Sequence, residues 1–269
     1  MAKGERRRAL RGRAGRMKGG RGSGRASTGQ VRLWGRHAVE AAIKNPDRVH
    51  QKLWATREAI DTLDGELPAD FPIEYADVAD LARMVAKDAP HQGLVLECAA
   101  LEDIHLDEVL DSEPTRPIIV LDQVTDPHNV GAIMRSAVAF GAGALVTTQR
   151  HSPQESGVLA KAASGALEMI DHIEVRNLSA AIEELKSQGF TTIGLDSEGP
   201  EPIEAGLSGN RIALVLGAEG KGLRQKTRET VDVLTRLDMP GEIKSLNVSN
   251  ATAIALYAAQ QHLSKHKPA

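Results

Sequence analysis

From Arg116 onward, short apolar runs alternate with segments of helical periodicity, and this alternation constrains the fold more than any other feature of the chain. The run Ile118–Leu121 is apolar throughout, which is typical of a parallel strand covered on both faces. Further strands are predicted at Ala144–Thr147, Thr191–Leu195, Ile212–Leu216 and Val231–Leu237. Strands that alternate with helices predict an α/β fold with a mainly parallel sheet.

The helices between these strands are predicted from the spacing of apolar residues. One such set repeats at helical spacing as far as Gly141, which is a typical helix stop; it comprises Val130, Ile133, Met134, Ala137 and Val138. Further helices are predicted over Leu178–Gln188, Leu223–Thr230 and Ser249–Leu263.

Residues 31–101 predict a smaller α/β domain. An extended piece from Val31 leads into a helix that ends at Pro46, because proline cannot continue a helix. Strands are predicted at Lys52–Ala55 and Gly93–Cys98, and a helix at Val78–Lys87. Residues 102–115 are acidic, include Pro114 and predict a linker, so the large domain is expected to cover 116–269.

The charge of the chain is divided unevenly. Residues 1–36 hold 12 Lys or Arg and one acid, a net of +11, whereas the remainder holds 21 bases and 35 acids, a net of −14. A basic arm on an acidic body indicates a polyanionic partner, most simply RNA. Residues 1–30 are rich in Gly and Arg, so we predict that this arm is disordered when free. A solubilising tail and an organelle transit peptide are the alternatives, although a transit peptide would be amphipathic.

Membrane and metal binding are not expected. No apolar run approaches the ~20 residues that span a bilayer, which predicts a soluble protein, and the single cysteine fits the reducing cytoplasm. Cys98 is the only cysteine, so neither a disulfide within the chain nor a cysteine zinc cluster is possible. His262 and His266 are spaced as a metal-binding pair on a helix, but no third ligand is evident.

Three polar loops follow apolar strands, at the position where open α/β sheets gather their ligands. The first is Asp122–Gly131, the second is Gly217–Gly222 and the third is Met239–Asn250. The second lacks the spacing of a P-loop, and no GxGxxG follows the first strand, so the usual nucleotide folds are not indicated. Each loop alone is compatible with plain turn chemistry.

Taken together and in this order, the loops resemble the three motifs of the SpoU class of RNA 2′-O-ribose methyltransferases. The matching segments are Asp126–Ala137, Leu214–Leu223, Met239–Gly241 and Ser245–Ala251. Residues 33–100 are similar to the small substrate-binding domain of the branch that modifies a guanosine of large-subunit rRNA; Trp34–Ala41 and His91–Gly93 carry that similarity. Asp238 departs from the family, which usually has an apolar residue or proline there, and this bears on the shape of the cofactor loop.

The resemblance implies a C-terminal trefoil knot, a homodimer and S-adenosyl-L-methionine as cofactor. It implies an RNA substrate, more readily rRNA than tRNA because of the extra N-terminal domain and arm. The implied cofactor-binding residues are Gly217, Glu219, Gly220, Leu237, Met239, Leu246 and Asn247. The implied catalytic residues are Arg135, Asn129, Glu219, Ser245 and Asn247.

Two roles are open for Arg135. As a base it would activate the 2′-hydroxyl, although a guanidinium gives up its proton only at high cost. As a clamp it would hold an RNA phosphate and stabilise the developing alkoxide, which we favour on physical grounds. Asn129 would orient Arg135 or fix the loop. If Arg135 has no function, it is simply a solvated charge on the surface of its helix.

Other functions and roles remain open at this point. A tRNA methyltransferase, a ribosome-assembly protein without activity and an unrelated nucleotide-binding enzyme are the alternatives. Heat on titration with S-adenosyl-L-methionine separates an enzyme from a pure binding protein. For several residues a functional and a structural role compete: base stacking or core for Trp34 and Trp54, substrate contact or loop capping for His128, and phosphate contact or solvation for Lys221 and Arg224.

Overall fold

The computed structural model describes residues 29–64, 67–68, 70–110 and 116–265. The predicted arm, apart from its last residues, and His266 lie outside the described residues, as does the end of the predicted linker. The chain divides into two compact units. The first unit holds residues up to Asp103 together with Gln154–Met169, and the second holds Ile104–Pro153 and Ile170 onward.

The helices and strands follow the predicted alternation. The strands are β1 (Gln30–Trp34), β2 (His50–Ala55), β3 (Ile73–Tyr75), β4 (Leu94–Ala99), β5 (Ile118–Asp122), β6 (Ala144–Thr148), β7 (Asp171–Val175), β8 (Thr191–Leu195), β9 (Glu201–Pro202), β10 (Ile212–Gly217) and β11 (Val233–Arg236). The helices are α1 (Arg36–Lys44), α2 (Arg57–Asp61), α3 (Val78–Met84), α4 (Leu106–Leu110), α5 (Pro127–Ala139), α6 (Gly157–Ala163), α7 (Leu178–Ser187), α8 (Ile203–Gly206), α9 (Gln225–Thr230) and α10 (Val248–Lys265), with a 3₁₀ turn at Ala166–Glu168.

The first unit is built on a four-stranded mixed sheet in the order β1-β4-β2-β3. Strand β4 pairs antiparallel with β1 and β2, and β2 pairs parallel with β3. Trp34 is buried with Leu81 and Val95, and Trp54 packs against this cluster while Lys52 approaches its ring. Both tryptophans therefore contribute to packing. Of the two roles left open for them, this is the structural one.

Residues 154–169 belong to the first unit although the chain on both sides of them belongs to the second. Helix α6 packs so closely on the sheet that a Cβ at Gly157 would lie 1.9 Å from the ring of Trp34. Only glycine allows this approach. The sequence-based division assigned these residues to the large domain, because nothing in their local pattern reveals a contact with Trp34.

A buried charge cluster fixes the same segment. The side chain of Arg48 is fully buried and pairs with Glu155 and Glu168, and Asn45 donates to Glu168 over 2.5 Å. Burial disfavours the charged guanidinium, but the hydrogen bond and charge of Glu168 outweigh it and raise the pKa of Arg48. A buried pair of this kind is costly to break, so residues 154–169 are held firmly to the first unit.

The second unit contains a seven-stranded sheet in the order β7-β6-β5-β10-β8-β11-β9. Every pairing is parallel, which confirms the predicted mainly parallel α/β fold. Strands β7 and β9 and helices α4 and α8 were not predicted. Helix α4 lies within the predicted linker and buries Leu106, Val109 and Leu110, which share one face of a helical turn.

The sheet topology sets where the polar loops meet. Strand β5 pairs with β10, and β10 pairs with β8. Because these strands are parallel, their carboxyl ends and the loops that follow lie at one edge of the sheet. Helix α10 packs against α5 and β10, so the chain that leaves β11 returns to the middle of this edge.

Candidate active site

One asparagine joins the three predicted loops. Asn247 Nδ2 donates to Asn129 Oδ1 over 3.0 Å and to Glu219 Oε2 over 3.4 Å. These residues are separated by 118 and 28 positions in the chain. The parallel sheet therefore brings together three residues that the sequence singled out in separate loops.

Two of these residues are positioned by helix caps. Asp126 caps α5 by accepting from the backbone N–H of His128 over 2.9 Å, which sets Asn129 in the first turn. The exposed His128 contributes to this cap only through its backbone. Asn247 Oδ1 accepts from the backbone N–H of Ser249 over 2.8 Å at the start of α10. The same oxygen that caps the helix thus leaves the amide nitrogen free to hold Asn129 and Glu219.

Glu219 is carried by a tight turn after β10. The backbone N–H of Gly222 donates to the Ala218 carbonyl over 2.9 Å, and Gly220 has a φ of 75°. A Cβ at Gly217 would lie 2.1 Å from the backbone of Gly222, so no larger residue fits there without opening the turn. The glycines of this loop thus permit a close backbone crossing beside the acidic side chain.

A cavity of about 410 Å³ lies between the loops that follow β8, β10 and β11. This volume is within the range of small-molecule sites, roughly 300–1,000 Å³. Its walls combine apolar side chains with backbone and charged groups. The predicted residues that line it are Gly217, Glu219, Gly220, Leu237, Met239, Ser245 and Leu246.

Part of the cavity wall was missed by the sequence-based reasoning. Leu195–Glu198 line the cavity, and buried Asp196 pairs with Arg228 over 3.0 Å. The sequence did indicate that these residues lie near a ligand site, because they also follow the carboxyl end of a predicted strand. They were passed over because the segment is short and lacks the glycine-rich character of the other loops.

Asp238, which departs from the family pattern, does not line the cavity. Its carboxylate accepts from Arg236 Nε over 2.9 Å, and Arg236 Nη1 also donates to the carbonyls of Gly199 and Pro200. The departure thus adds an ion pair at the end of β11 that holds Arg236, which in turn ties this end to the neighbouring loop. Lys244 Nζ donates to the Met239 carbonyl over 2.7 Å and closes the loop that follows.

Three predicted residues do not line the cavity: Asn129, Asn247 and Arg135. Asn247 and Asn129 are connected to its wall by the hydrogen bond from Asn247 to Glu219, whereas Arg135 has no such connection. It is exposed on α5 and forms no hydrogen bond or ion pair with any residue that the structure describes. It lies roughly 120° around the helix axis from Asn129, because successive residues of an α-helix are ~100° apart. Within one copy of the chain, the cavity therefore lacks the guanidinium that the sequence predicted beside it.

The described residues, 29–64, 67–68, 70–110 and 116–265, contain neither a candidate metal cluster nor a helix long and apolar enough to span a membrane. His262 Nε2 donates to the Gly209 carbonyl over 2.9 Å. The ring of His262 is thus engaged by the backbone.

Known protein families match both units. The model of the SpoU rRNA methylase family matches residues 116–257, and the model for RNA 2′-O ribose methyltransferase substrate binding matches residues 32–104. The 23S rRNA (guanosine-2′-O-)-methyltransferase RlmB of Ralstonia nicotianae is 38% identical over 234 residues, covering 84% of this chain and 94% of that protein. The RlmB of Vibrio parahaemolyticus is 32% identical and covers 84% and 95%.

Solved structures share the fold. The SpoU methyltransferase AviRb from Streptomyces viridochromogenes, in complex with AdoMet, superposes with a TM-score of 0.73 and 20% sequence identity. The match covers 99% of this chain and 100% of that chain. At this level of identity the likeness concerns the fold.

Proposed function

The chain belongs to the SpoU rRNA methylase family, and on this premise we propose that it transfers a methyl group from S-adenosyl-L-methionine to the ribose 2′-hydroxyl of a guanosine in 23S rRNA. The observation that carries this proposal is the hydrogen bonding of Asn247 to both Asn129 and Glu219. It joins all three family motifs beside a cavity of small-molecule size.

The cavity suits an adenosine-type cofactor. Gly217 allows the backbone of Gly222 to cross it closely, and Gly217–Gly222 line the cavity, so the backbone amides and carbonyls of this turn are within reach of a ligand. Leu195, Leu237 and Leu246 provide apolar walls, as a purine requires. We assign cofactor binding to these residues together with Gly220 and Met239. When bound, S-adenosyl-L-methionine supplies a methyl group already activated by its sulfonium.

The chain's own contribution is positioning and charge. Asn247 holds Glu219 beside the cavity, and Asn247 is itself fixed by its hydrogen bond to Asn129 and by the cap on α10. Orienting two reactants can supply up to ~7–11 kcal/mol of a barrier in the best intramolecular cases. Asn129, Glu219 and Asn247 are thus positioning residues, and Ser245, exposed at the cavity wall, is available to the ribose.

Arg135 is assigned to the substrate rather than to the cofactor. It is exposed and free of partners within the described chain, so its guanidinium is available to an RNA phosphate and to the developing alkoxide. A base at this position would have to surrender a proton that guanidinium groups retain. The clamp therefore remains the role we propose.

We propose that the chain acts as a homodimer. Ile254 and Tyr257 are 45% and 55% exposed, three residues apart on α10, and Ile243 is 76% exposed. A second copy that covered this apolar face could also supply Arg135 to the cavity. Sedimentation equilibrium should give twice the mass of one chain. Mixing Arg135→Ala with Asn247→Ala copies should restore part of the lost activity; a single-chain mass would contradict the proposal.

A trefoil knot is proposed for the second unit. The chain leaves β11 near one side of the sheet and returns in α10 to α5 and β10, and both the loop after β10 and the segment before α10 line one cavity. Such threading is rare among proteins. Pulling the chain from its two ends should leave a contour shorter than full extension by the residues held in the knot; full extension would exclude it.

The first unit is proposed to bind the substrate RNA. Its described surface includes exposed Tyr75 with the Arg57 guanidinium 4.8 Å from the ring centre, beside a cavity of about 850 Å³ that Arg36 also lines. Aromatic and guanidinium planes stack on unpaired bases. Because its substrate would be ribosomal RNA, we place the protein in the cytoplasm.

The activity is tested by methyl transfer in vitro. The chain should move a tritiated methyl group from S-adenosyl-L-methionine to 23S rRNA. Arg135→Ala should abolish transfer while calorimetry still detects cofactor binding, and Arg135→Lys should retain part of the activity if charge is what matters. Equal turnover of Arg135→Ala and the unchanged chain would refute the role of Arg135.

The substrate is tested by mapping ribose methylation in RNA from a strain that lacks the gene. We expect the loss of one mark on a guanosine of the large-subunit RNA. Loss from tRNA alone would overturn the substrate assignment while leaving the reaction class intact. Unchanged maps in both RNAs would contradict the proposed activity in the cell.

A further inference from the structure

A second cavity, of about 360 Å³, lies at the carboxyl ends of β5, β6 and β7, outside the cofactor cavity. Four basic side chains line it, and no acidic side chain does; they belong to Arg150, Arg176, Arg224 and Lys226. A neighbouring cavity of about 390 Å³ is lined by Gln149, Arg150 and Arg176. The two arginines therefore face a continuous basic surface, here called the cation groove.

The charge of the cation groove is largely uncompensated. Arg224 pairs with buried Asp122 over 2.6 Å. The side chains of Arg150, Arg176 and Lys226 are exposed and form neither a hydrogen bond nor an ion pair with the part of the chain that is described. By contrast, Arg228 of the same unit pairs with Asp196, and Arg236 pairs with Asp238. Three cations gathered without an anion indicate that the anion comes from a ligand.

The backbone of the cation groove is fixed in advance. Gln149 N–H donates to the Val175 carbonyl over 3.0 Å, which continues the β6–β7 ladder, and the Thr148 hydroxyl donates to the Arg150 carbonyl. Gln123 and His151 both line the cavity in the left-handed region, with φ of 60° and 64°. Non-glycine residues keep this conformation only where their surroundings enforce it, and such residues gather at functional sites.

The start of α7 adds to the positive potential. Asn177 and Ser179 line the cavity, and Asn177 caps this ten-residue helix by accepting from Ala180 N–H over 3.3 Å. The N-terminal end of a helix carries partial positive charge and N–H groups without an acceptor in the helix. Arginine side chains and a helix start together are suited to phosphate oxygens.

We propose that the cation groove binds the sugar–phosphate backbone of the substrate RNA next to the nucleotide that is methylated. Strand β5 precedes Asn129, and β6 and β7 lie one and two strands further on, roughly 5 and 10 Å away. A strand of RNA with its ribose beside Asn129 thus has neighbouring phosphates within reach of Arg150 and Arg176. This assignment rests on the proposed function, because it takes RNA as the substrate.

The test is the salt dependence of RNA binding by the full chain. Arg150→Ala/Arg176→Ala should weaken binding to a 23S rRNA transcript about tenfold in filter binding. The slope of log affinity against log salt should become shallower by about 1 to 2, since each lost phosphate contact on a single strand contributes ~0.7. The KM for RNA should rise while kcat and cofactor affinity stay unchanged.

Two matched variants complete the experiment. Arg116→Ala/Lys265→Ala removes the same charge from two other exposed positions of the second unit and should leave the slope unchanged. Arg150→Lys/Arg176→Lys keeps both charges and should restore most of the affinity, which distinguishes lost contacts from misfolding. An alanine pair that matches the control in affinity and slope overturns the proposal.

Two further outcomes separate this inference from the proposed function. If the unchanged chain binds rRNA but transfers no methyl group, the proposed activity fails, while the salt slopes still decide the role of the cation groove. If inorganic phosphate raises the melting temperature through Arg150 and Arg176 but RNA affinity is unaffected by their loss, the groove serves a free anion and the inference is wrong.

Discussion

The edge of the large sheet has two unlike halves. After β8, β10 and β11, backbone and side chains of both signs enclose a cavity, in which Arg228 pairs with Asp196 and Glu198. After β5, β6 and β7, the cations of Arg150, Arg176 and Lys226 line the edge without a partner among the described residues. The strands are alike on both sides, so the loops alone decide the chemistry. A fold of this kind can place a small-molecule site and a polyanion site on one rigid edge.

The largest effect is expected from a substitution that disrupts only the half of the edge with the proposed cofactor cavity, after β8, β10 and β11. Gly217→Ala places a Cβ 2.1 Å from the backbone of Gly222 and should open the turn that carries Glu219. We expect the affinity for S-adenosyl-L-methionine in calorimetry to fall by about a hundredfold, or ~2.7 kcal/mol. RNA binding at the other half should persist. The control is Gly241→Ala, where an added Cβ meets nothing within 4 Å, and similar cofactor affinities for the two variants would contradict this account.

A second prediction concerns Asn247, which connects the two halves of the edge by its hydrogen bonds to residues of the other two motifs. Asn247→Ala should lower kcat on the order of 10- to 100-fold, because Asn129 and Glu219 lose their common partner. It should also lower the free energy of unfolding by about 1 kcal/mol through the lost cap on α10.

Asn247→Asp separates these two consequences. The aspartate keeps an oxygen for the Ser249 N–H, so stability should largely return, but it cannot donate to Glu219 and kcat should stay low. Chemical denaturation measures the free energy of unfolding, and single-turnover kinetics measure the rate of methyl transfer. Recovery of kcat in the aspartate variant would mean that the cap, and not the shared hydrogen bonds, is what activity requires.

A third prediction concerns stability alone, at the place where the two halves of the edge meet. Arg224 donates to buried Asp122 from its backbone and its side chain, over 3.0 and 2.6 Å. Arg224→Ala should lower the free energy of unfolding by about 1–3 kcal/mol, because it leaves a buried carboxylate short of a donor. Lys226→Ala, at an exposed cation without a partner, should change it by less than ~0.5 kcal/mol. Equal losses in urea denaturation would mean that Asp122 finds another donor.

Local pattern was enough to predict the elements around the site. The apolar run at β5, the helical spacing of α5 and the polar loops at strand ends are properties of short segments. Pattern was not enough for α4, a single turn in acidic surroundings, or for α6 and β7, whose burial depends on partners far away in the chain. Leu195–Glu198 were missed because a short loop has no motif of its own.

The sequence by itself determined a parallel α/β sheet, its glycine-rich turns, and the polar residues available at the strand ends. Only the tertiary structure decided which of them meet. Asn247 reaches Asn129 across 118 positions, and Glu168 reaches Arg48 across 120, while Arg135 stays away from the cavity on another side of α5. The physical reason is that the spacing of apolar residues in a segment shows only which face of that helix or strand is buried. Contacts between distant segments depend on strand order and close packing, such as that of Gly157 on Trp34, which no local pattern encodes.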